Sequence, residues 1–304
     1  MRWKKLGRII EGDPAYPWMR THSMLPVPDQ IDGALYRLYF CGRDHLNRSH
    51  IGFAIIDMDQ GGKVLEYSRV PVLSPGNLGC FDDNGVSPSW ILTHADVKYL
   101  YYIGWKPRST TRFGLIAGLA ISTDGGEHFT RQSRAPILHL TDKEPIMILT
   151  APCVLKEEEL WRMWYVSGTS WEHADLPHYN IKYAESHNGI DWKQTGVVCI
   201  ESLLGNESAL ARPCVIKTNG AYKMYYSKKT DGRPYRMGYA ESQDGITWVR
   251  KDELVGIDIS KNGWDSEMIE YPNVITYSGK QYMFYNGNGY GATGIGLAVL
   301  EVAT

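Results

Sequence analysis

The sequence lacks the cysteine and histidine patterns that indicate disulfide frameworks or metal sites. Its cysteines are five, an odd number, and form no CxxC pair: Cys41, Cys80, Cys153, Cys199 and Cys214. A disulfide framework is therefore not predicted. No histidine or cysteine spacing specifies a metal ligand set, and there is no Walker loop or GxSxG elbow. We therefore predict no metal and no cofactor, and serine-hydrolase chemistry has no support.

Long apolar runs and an excess of charge of one sign are also missing. The chain has 32 Lys and Arg against 34 Asp and Glu, a formal net charge of −2. This balance gives no reason to expect nucleic acid or an anionic membrane surface as a partner. No segment reaches the roughly 18 apolar residues of a membrane span, and the N-terminus has no apolar run of signal-peptide length. We expect a soluble, cytoplasmic protein.

What the sequence does contain is a repeat. A proline followed by a hairpin and an aromatic pair occurs at Pro26, Pro88, Pro152, Pro213 and Pro272. The intervals between these prolines are 62, 64, 61 and 59 residues. A second series keeps step with the first, with alanines at Ala54, Ala120, Ala184, Ala240 and Ala298. Two series in step indicate five copies of one structural unit.

Each copy is predicted to form four short antiparallel strands. In the fourth copy, residues 207–250, segments rich in aromatic and β-branched residues are separated by Asn-Gly, Asp-Gly and Gly-Ile turn signals. This pattern is typical of consecutive hairpins. Because the copies cover nearly the whole chain, we interpret residues 1–304 as a single all-β domain. The predicted fold is a five-bladed β-propeller with four antiparallel strands per blade.

The two ends of the chain are predicted to meet in one blade. Residues 3–7 (WKKLG) resemble residues 192–196 (WKQTG), which start the outer strand of the third copy. The last copy has no such strand of its own. The N-terminal segment is therefore expected to pair into the last blade and close the ring, which would remove an exposed sheet edge.

Asp and Asn residues in the third turn of several copies are interpreted as structural. Asp124, Asn188 and Asp244 each precede a glycine in an SxDGxxW-like segment. Asp or Asn before Gly suits a tight hairpin, and the same turn in several copies is what a fold signature produces.

The copies differ in the loops that lead into their first strands, and there we look for the active site. In a propeller these loops converge on one mouth of the central channel. Asp83, Glu207 and Glu270 are the candidate catalytic carboxylates, since glycosidic bond cleavage needs a neutral acid and an anionic base or nucleophile. The alternatives are a turn-forming role for Asp83 and a solvated position for Glu207. Glu270 stands where the preceding copy has Ala211.

The same loops supply candidate substrate-binding residues: Arg20, His22, Arg212, Glu267, Tyr271, Trp105 and Tyr290. The arginines and His22 would grip hydroxyl groups or an anionic group. Trp105 and Tyr290 offer flat faces for sugar rings. The alternatives are a core position for His22, an ion pair for Arg212 and a turn for Glu267.

In its repeat and its motifs the chain resembles the five-bladed β-propeller glycoside hydrolases. The segments ARPCVIK, YKMYYS, MGYAESQDGITW and EYPNVI, repeated at about 60 residues, are similar to the superfamily of arabinanases and xylosidases (family 43), invertases and levansucrases (families 32 and 68) and mannoside phosphorylases (family 130). The resemblance is closest to uncharacterised family-43-like members. It covers essentially the whole chain.

The resemblance implies an Asp in the first blade as base or nucleophile, a second Asp further round, and a Glu as general acid. By position Asp83 would be the second Asp and Glu207 the acid. The loop into the first blade reads RTHS, residues 20–23, and holds no acid. The base would then come from Glu270, Glu267 or Asp13.

We therefore expect a glycoside hydrolase or related glycosyl-transferring enzyme that acts on a small or activated sugar by carboxylate general acid/base catalysis. The expected partner is a small carbohydrate, with an anionic group if the arginines bind it. The alternatives are a glycoside phosphorylase and a non-catalytic carbohydrate-binding propeller.

Overall fold

The computed structural model describes residues 1–203, 207–230 and 232–301, and nearly all of its regular structure is β-strand. The short helices are α1 (Asn288–Gly291) and a 3₁₀ turn (Asp252–Leu254). In these three ranges no helix has the length and apolar character needed to cross a membrane.

The strands form five consecutive units. The first strand, β1 (Trp3–Ile10), precedes them. Unit 1 comprises β2 (Thr21–Asp32), β3 (Leu35–Arg43), β4 (Ser49–Asp57) and β5 (Lys63–Tyr67). Unit 2 comprises β6 (Gly85–His94), β7 (Val97–Pro107), β8 (Phe113–Ser122) and β9 (Thr130–Arg131). Unit 3 comprises β10 (Ile148–Glu157), β11 (Leu160–His173), β12 (Leu176–Ser186) and β13 (Lys193–Ile200). Unit 4 comprises β14 (Glu207–Thr218), β15 (Ala221–Thr230), β16 (Arg236–Ser242) and β17 (Val249–Arg250). Unit 5 comprises β18 (Glu270–Tyr277), β19 (Lys280–Asn286) and β20 (Ile295–Leu300).

Within each unit successive strands pair antiparallel, as the turn residues dictate. Asn219 and Gly220, between β14 and β15, both have positive φ angles, 53° and 80°. This is the backbone that a two-residue hairpin requires and that Asn-Gly adopts readily. The turn acids have the structural role that the sequence predicts. Asp244 Oδ1 accepts hydrogen bonds from the backbone N–H groups of Ile246 and Thr247, which lower its pKa to about 2.

The first strands of the units contact one another in sequence, from β2 to β6, β10, β14 and β18, and β18 in turn contacts β2. Each repeat proline lies in one of these first strands. The hydrophobic core lies between neighbouring units. Cys153 and Trp164 of unit 3, for example, pack with Met224 and Tyr226 of unit 4. The arrangement brings the starts of all the first strands to one end of the molecule.

The N-terminal strand completes the sheet of unit 5. β1 pairs antiparallel with β20, with Trp3 opposite Leu300 and Ile10 opposite Ile295. Trp3 is buried against Tyr225 of unit 4, with ring centroids 5.8 Å apart. The predicted pairing of the N-terminal segment with the last copy is therefore present.

Candidate functional site

A recurrent backbone irregularity shapes the start of the first strands. The residue before the repeat proline has a left-handed backbone in four units: Leu25 (φ 58°), Ala151 (50°), Arg212 (50°) and Tyr271 (56°). At each of these places the pairing of the first strand with the second is interrupted. A left-handed conformation in a residue other than glycine costs about 1–3 kcal/mol and persists where surrounding structure enforces it, often at functional sites.

These irregular residues all line one cavity of about 330 Å³. Unit 2, which has no left-handed residue before its proline, contributes Ser87 and Asn84 to the same cavity. Every unit therefore supplies part of the wall from the start of its first strand. A cavity of this size is suited to a small ligand. We take it as the candidate functional site and call it the central cavity.

Arg212 is a buried cation in the wall of the central cavity. Its side chain is 1% exposed. Nη2 donates hydrogen bonds to the carbonyl oxygens of Pro26 (3.2 Å) and Ser89 (2.8 Å) in the first strands of two other units. Nη1 has no hydrogen-bond partner in the described part of the chain. Burial lowers the pKa of Arg212 to about 10, so the guanidinium remains charged at neutral pH.

Further cations surround the central cavity. Arg43 ends β3, Lys229 lies near the end of β15, and Arg112 immediately precedes β8; all line the cavity. Burial, and to a smaller degree the charge of Arg112, lowers the pKa of Arg43. Asp175 is the carboxylate in the cavity lining. None of the lining cations forms a salt bridge with a carboxylate of residues 1–203, 207–230 or 232–301.

Glu270 is a buried carboxyl group beside this cavity. It precedes the cavity residue Tyr271 and has no solvent exposure. Neither carboxyl oxygen has a hydrogen-bond partner among the described residues. Asn286 faces Glu270 across the pair of β18 and β19. It is close enough to act to lower the pKa of Glu270, but its side-chain amide does not meet the geometry of a hydrogen bond to the carboxyl group. Burial raises the pKa of Glu270 well above its ordinary value, which favours the protonated, uncharged form of the group.

Four tyrosines of the cavity lining lie close to Glu270. Tyr179, Tyr235, Tyr271 and Tyr290 all line the cavity. The hydroxyl oxygens of Tyr179 and Tyr235 are 3.1 Å apart, and the ring of Tyr235 lies 6.0 Å from that of Tyr271. Burial, followed by the proximity of Glu270, raises the pKa of Tyr271. The tyrosines therefore present neutral hydroxyl groups and ring faces to a ligand.

Glu207, one of the predicted catalytic carboxylates, is bound within its own unit. Both its oxygens accept hydrogen bonds from Arg250, at 2.8 and 2.9 Å, and Oε2 also accepts one from the Leu203 backbone N–H. It does not line the central cavity in the described part of the chain.

The Glu207 contact belongs to a set that recurs in four units. We call the members lead-in carboxylates, because each precedes or begins a first strand: Asp82, Glu144, Glu207 and Asp265. Each contacts the fourth-strand residue two positions after a Trp or Phe: Arg131, Gln194, Arg250 and Lys5 respectively. Three of them also accept a hydrogen bond from a second-strand tyrosine: Tyr102, Tyr165 and Tyr285. The lead-in carboxylates thus tie the first strand to the outer part of the unit.

Unit 1 makes the corresponding contact with apolar groups. Met19 occupies the lead-in position and Phe40 the tyrosine position, and both are fully buried. Trp18 packs on Phe40, with ring centroids 5.2 Å apart, and donates a hydrogen bond to the Ser68 carbonyl oxygen. Unit 1 therefore has no acid at the lead-in position. It also has no tyrosine that would lack a partner, because the apolar Met19 and Phe40 occupy the two positions.

The other predicted residues fall into two groups. Arg212, Tyr271, Trp105 and Tyr290 line the central cavity, and Glu270 borders it. His22 lies next to Arg43, and burial together with that charge lowers its pKa to about 4. Arg20 and Glu267 are exposed and outside the lining.

Asp83 also lies outside the lining. It accepts hydrogen bonds from Lys106 Nζ (2.7 Å) and the Gly79 backbone N–H (2.8 Å). Although burial acts to raise its pKa, these hydrogen bonds lower it below the usual value. The catalytic roles of Asp83 and Glu207 stay predictions. Among the residues described, no group of three or more His, Cys, Asp or Glu side chains is placed to hold a metal ion.

Arg43, Arg112, Lys229, Tyr179 and Tyr235 were not singled out by sequence. A signal was available for two of them. In an antiparallel pair the second strand ends beside the start of the first, so the final residues of the second strands also reach the mouth. Arg43 and Lys229 occupy such positions. Arg112 and the two tyrosines lie around the third strands, where no motif marks them.

The role of Glu207 can be tested by stability. Glu207→Gln removes one charge from a carboxylate whose side chain is 3% exposed. Because Arg250 keeps Asp252 as a second partner at 2.6 Å, we expect a loss of about 2 kcal/mol in unfolding free energy, less than for a fully orphaned buried charge. Urea unfolding measures it, with Glu201→Gln as the exposed control. Unchanged stability combined with lost turnover would instead favour the catalytic role.

Comparison with solved structures shows the fold. A protein described as a glycoside hydrolase matches with a TM-score of 0.76 and 19% identity, over 99% of this chain and 92% of that one. A protein from the family 130 mannoside phosphorylases, a family containing hydrolases that target β-1,2 mannosidic linkages, has a TM-score of 0.75 and 15% identity, over 98% and 93% of the two chains. A thermostable family 43 glycoside hydrolase has a TM-score of 0.66 and 15% identity, over 97% and 94%. The all-β fold is therefore that of the glycoside hydrolase propellers.

Comparison of sequences shows the family. No model of a known protein family matches the chain. The uncharacterised proteins MT1551 and Rv1502 of two Mycobacterium tuberculosis strains are each 42% identical to it over 303 residues, which is 99% of this chain and 100% of theirs. The chain therefore belongs to the same protein family as MT1551 and Rv1502.

Proposed function

We propose that this protein is a five-bladed β-propeller enzyme. It would break a glycosidic bond of a small carbohydrate in the central cavity and transfer the glycosyl group to water or another acceptor. The five units are taken as the blades, and β1 as the strand that closes the ring. The circular succession of contacts among the first strands and the pairing of β1 with β20 support this topology. The similarity to glycoside hydrolase folds supports carbohydrate chemistry but does not identify the reaction.

The observation that carries the proposal is the buried, neutral acid beside the cavity. Cleavage of a glycosidic bond requires a proton for the departing oxygen, and a carboxyl group with a raised pKa can hold that proton at neutral pH. Glu270 has this character because burial disfavours its anion and its oxygens have no hydrogen-bond donors within the described residues. We assign it the role of proton donor.

The cavity walls suit a sugar ring. Trp105, Tyr271 and Tyr290 provide aromatic faces, against which the C–H face of a pyranose can pack. The hydroxyl groups of Tyr179 and Tyr235, together with the Thr150 hydroxyl, which has no partner among the described residues, can exchange hydrogen bonds with sugar hydroxyls. These contacts would fix the position and the orientation of the scissile bond in the cavity.

Hydrolysis also requires a group that activates water. Asp175, in the turn between β11 and β12, is the exposed carboxylate in the cavity lining, and we assign it this role in a hydrolytic reaction. Asp83 and Glu207 are not used in this mechanism, because their carboxylates are held by Lys106 and Arg250.

A second candidate, a glycoside phosphorylase, is favoured by the excess of cations over carboxylates in the lining. In phosphorolysis a phosphate oxygen attacks the anomeric carbon. The phosphate is already an anion, so no protein base is needed, and the proton donor alone completes the acid/base requirement. We propose a cytoplasmic location for either activity, since all five cysteines are free, as is usual in a reducing compartment.

A panel assay tests the proposal. The protein is incubated with aryl glycosides and small disaccharides, each with and without inorganic phosphate, and reducing sugar and sugar phosphate are measured. Turnover without phosphate identifies a hydrolase, and turnover that requires phosphate identifies a phosphorylase. If sugars bind but none is cleaved under either condition, the protein is a carbohydrate-binding propeller and the enzyme proposal fails.

A further inference from the structure

We propose that the central cavity contains an oxyanion subsite in which Arg43, Arg112 and Lys229, together with the buried Arg212, hold a phosphate or carboxylate group. The group is either part of the carbohydrate or a free inorganic phosphate. This inference deepens the proposed function and rests on it only for placing a carbohydrate in the same cavity.

The charge of the cavity is opposite to that of the whole molecule. The protein carries a formal net charge of −2, yet among the described residues four cationic side chains line this cavity against one carboxylate, that of Asp175. Burial of the bordering Glu270 disfavours its charged form. A general excess of basic residues therefore does not account for the cluster.

The cations are also short of partners. In the described part of the chain the Arg43 side chain donates one hydrogen bond, from Nη1 to Asn47 Oδ1 at 3.0 Å, and Arg212 leaves Nη1 without an acceptor. A desolvated cation without an acceptor is unfavourable, and a second cation nearby adds repulsion. An oxyanion in the cavity would accept these hydrogen bonds and compensate the charge, since guanidinium groups pair strongly with phosphate and carboxylate oxygens.

The elements that carry these cations favour a ligand at the mouth rather than a structural ion. Arg43 and Lys229 end second strands of two different units. Arg112 belongs to the turn before β8, which is tethered to the next unit by the hydrogen bond from its backbone N–H to the Ala174 carbonyl oxygen, at 2.8 Å. Three units therefore bring one cation each to a shared space, with the buried Arg212 of unit 4 in the same lining.

The neighbouring titratable groups keep the site cationic near neutral pH. His22, next to Arg43, has a pKa lowered to about 4 and is neutral. The tyrosines have raised pKa values, so they stay protonated and act as hydrogen-bond donors. Asp175 is the exposed acid of the lining. The site should therefore prefer a dianionic phosphate to a neutral sugar hydroxyl.

Calorimetric titration tests the subsite with three probes: inorganic phosphate, a hexose 1-phosphate and the matching neutral hexose. We expect both phosphates to bind, to compete with each other, and to bind more weakly as salt concentration rises. A hexose 1-phosphate that binds at least about tenfold more tightly than inorganic phosphate assigns the anion to the sugar. Equal binding of the two assigns the subsite to free phosphate.

The matched variants are Arg112→Gln and Arg108→Gln. Both residues belong to the turn between β7 and β8 and both are exposed, but Arg108 contacts Met147 and is outside the lining. Loss of a charge-assisted hydrogen bond should weaken phosphate binding by about tenfold or more in Arg112→Gln and leave it unchanged in Arg108→Gln. Lys229→Gln should behave like Arg112→Gln. The inference is overturned if the parent binds neither phosphate, or if the two arginine variants lose affinity equally.

Failure of this inference can be separated from failure of the proposed function. Glu270→Gln should retain phosphate binding, because it removes no cation and no charged acid. Phosphate binding without turnover of any glycoside would contradict the enzyme and leave the subsite standing. Turnover of neutral glycosides by a parent protein that binds no phosphate would contradict the subsite and leave the enzyme standing.

Discussion

Removal of residues 1–10 is expected to abolish stable folding. The deletion removes β1, exposes the backbone edge of β20 and uncovers the pocket of Trp3 beside Tyr225. It also leaves the Asp265 carboxylate, 3% exposed, without the Lys5 ammonium that lies 2.6 Å from it. Loss of a buried tryptophan alone costs about 3–5 kcal/mol, and an unpaired buried charge costs a similar amount. Together they approach the whole stability of a typical domain, about 5–15 kcal/mol.

Thermal unfolding of purified protein, or the soluble yield when none can be purified, measures this effect. Trp3→Ala should lower the unfolding free energy by about 3–5 kcal/mol and provides a graded version of the deletion. Arg2→Ala is the control, because Arg2 is 84% exposed and pairs only with Glu301 at the surface. A truncated protein that melts at the temperature of the parent would show that β1 is dispensable and that the fold does not depend on it.

Replacement of Glu270 by Gln is expected to lower activity and raise stability. The amide cannot donate a proton to a leaving oxygen, so turnover of the substrate found in the panel should fall by about a hundredfold or more. Stability changes in the other direction. The pKa of Glu270 is raised in the folded protein, so the folded state retains a proton that the unfolded state releases once the pH exceeds the ordinary pKa of about 4.5.

The raised pKa of Glu270 makes the parent less stable as the pH rises. From about pH 4.5 up to the folded-state pKa, the parent loses up to about 1.4 kcal/mol of stability per pH unit through this one group. The variant has no such group. Urea unfolding should therefore show equal stability near pH 4.5 and a more stable variant at pH 8. A variant that is less stable than the parent at pH 8 would mean that Glu270 is ionised and paired in the folded protein.

The repeat made much of the fold predictable. Each repeat proline marks a first strand, and the similarity of residues 3–7 to residues 192–196 placed β1 beside the last unit. These inferences succeeded because the pattern of strands and turns is local and is written five times. The left-handed residues before the prolines were not predictable. Leu25, Ala151, Arg212 and Tyr271 have no shared side-chain chemistry, and their conformation is imposed by the packing of the first strands.

The candidate site was harder to predict because an acid can recur in several copies for structural reasons. This recurrence indicates a structural role for Asp124 and Asp244. The same reasoning applies to Glu207, since an acid precedes the first strand in four copies and contacts the fourth strand in each. A residue type that recurs at the same place in several copies is expected to serve the fold, whereas one that occurs in a single copy is available for function. Glu270 is such a residue, since the first strand of unit 4 has Ala211 in its place.

The position of the cations could be derived only in part. The end of a second strand lies at the cavity mouth for geometric reasons, which accounts for Arg43 and Lys229. Arg112 reaches the mouth because its turn leans toward the neighbouring unit, through its hydrogen bond with Ala174. Contacts between loops of different units depend on the completed fold, and no local pattern in the sequence encodes them.

A crystal structure of the Glu270→Gln variant with hexose 1-phosphate would show whether the buried acid and the cations act on one ligand. We predict the sugar in the central cavity, its phosphate group within hydrogen-bond distance of Arg112 and Lys229, and its anomeric oxygen facing the side chain at position 270. A ligand bound elsewhere, with the central cavity filled only by water, would contradict this prediction.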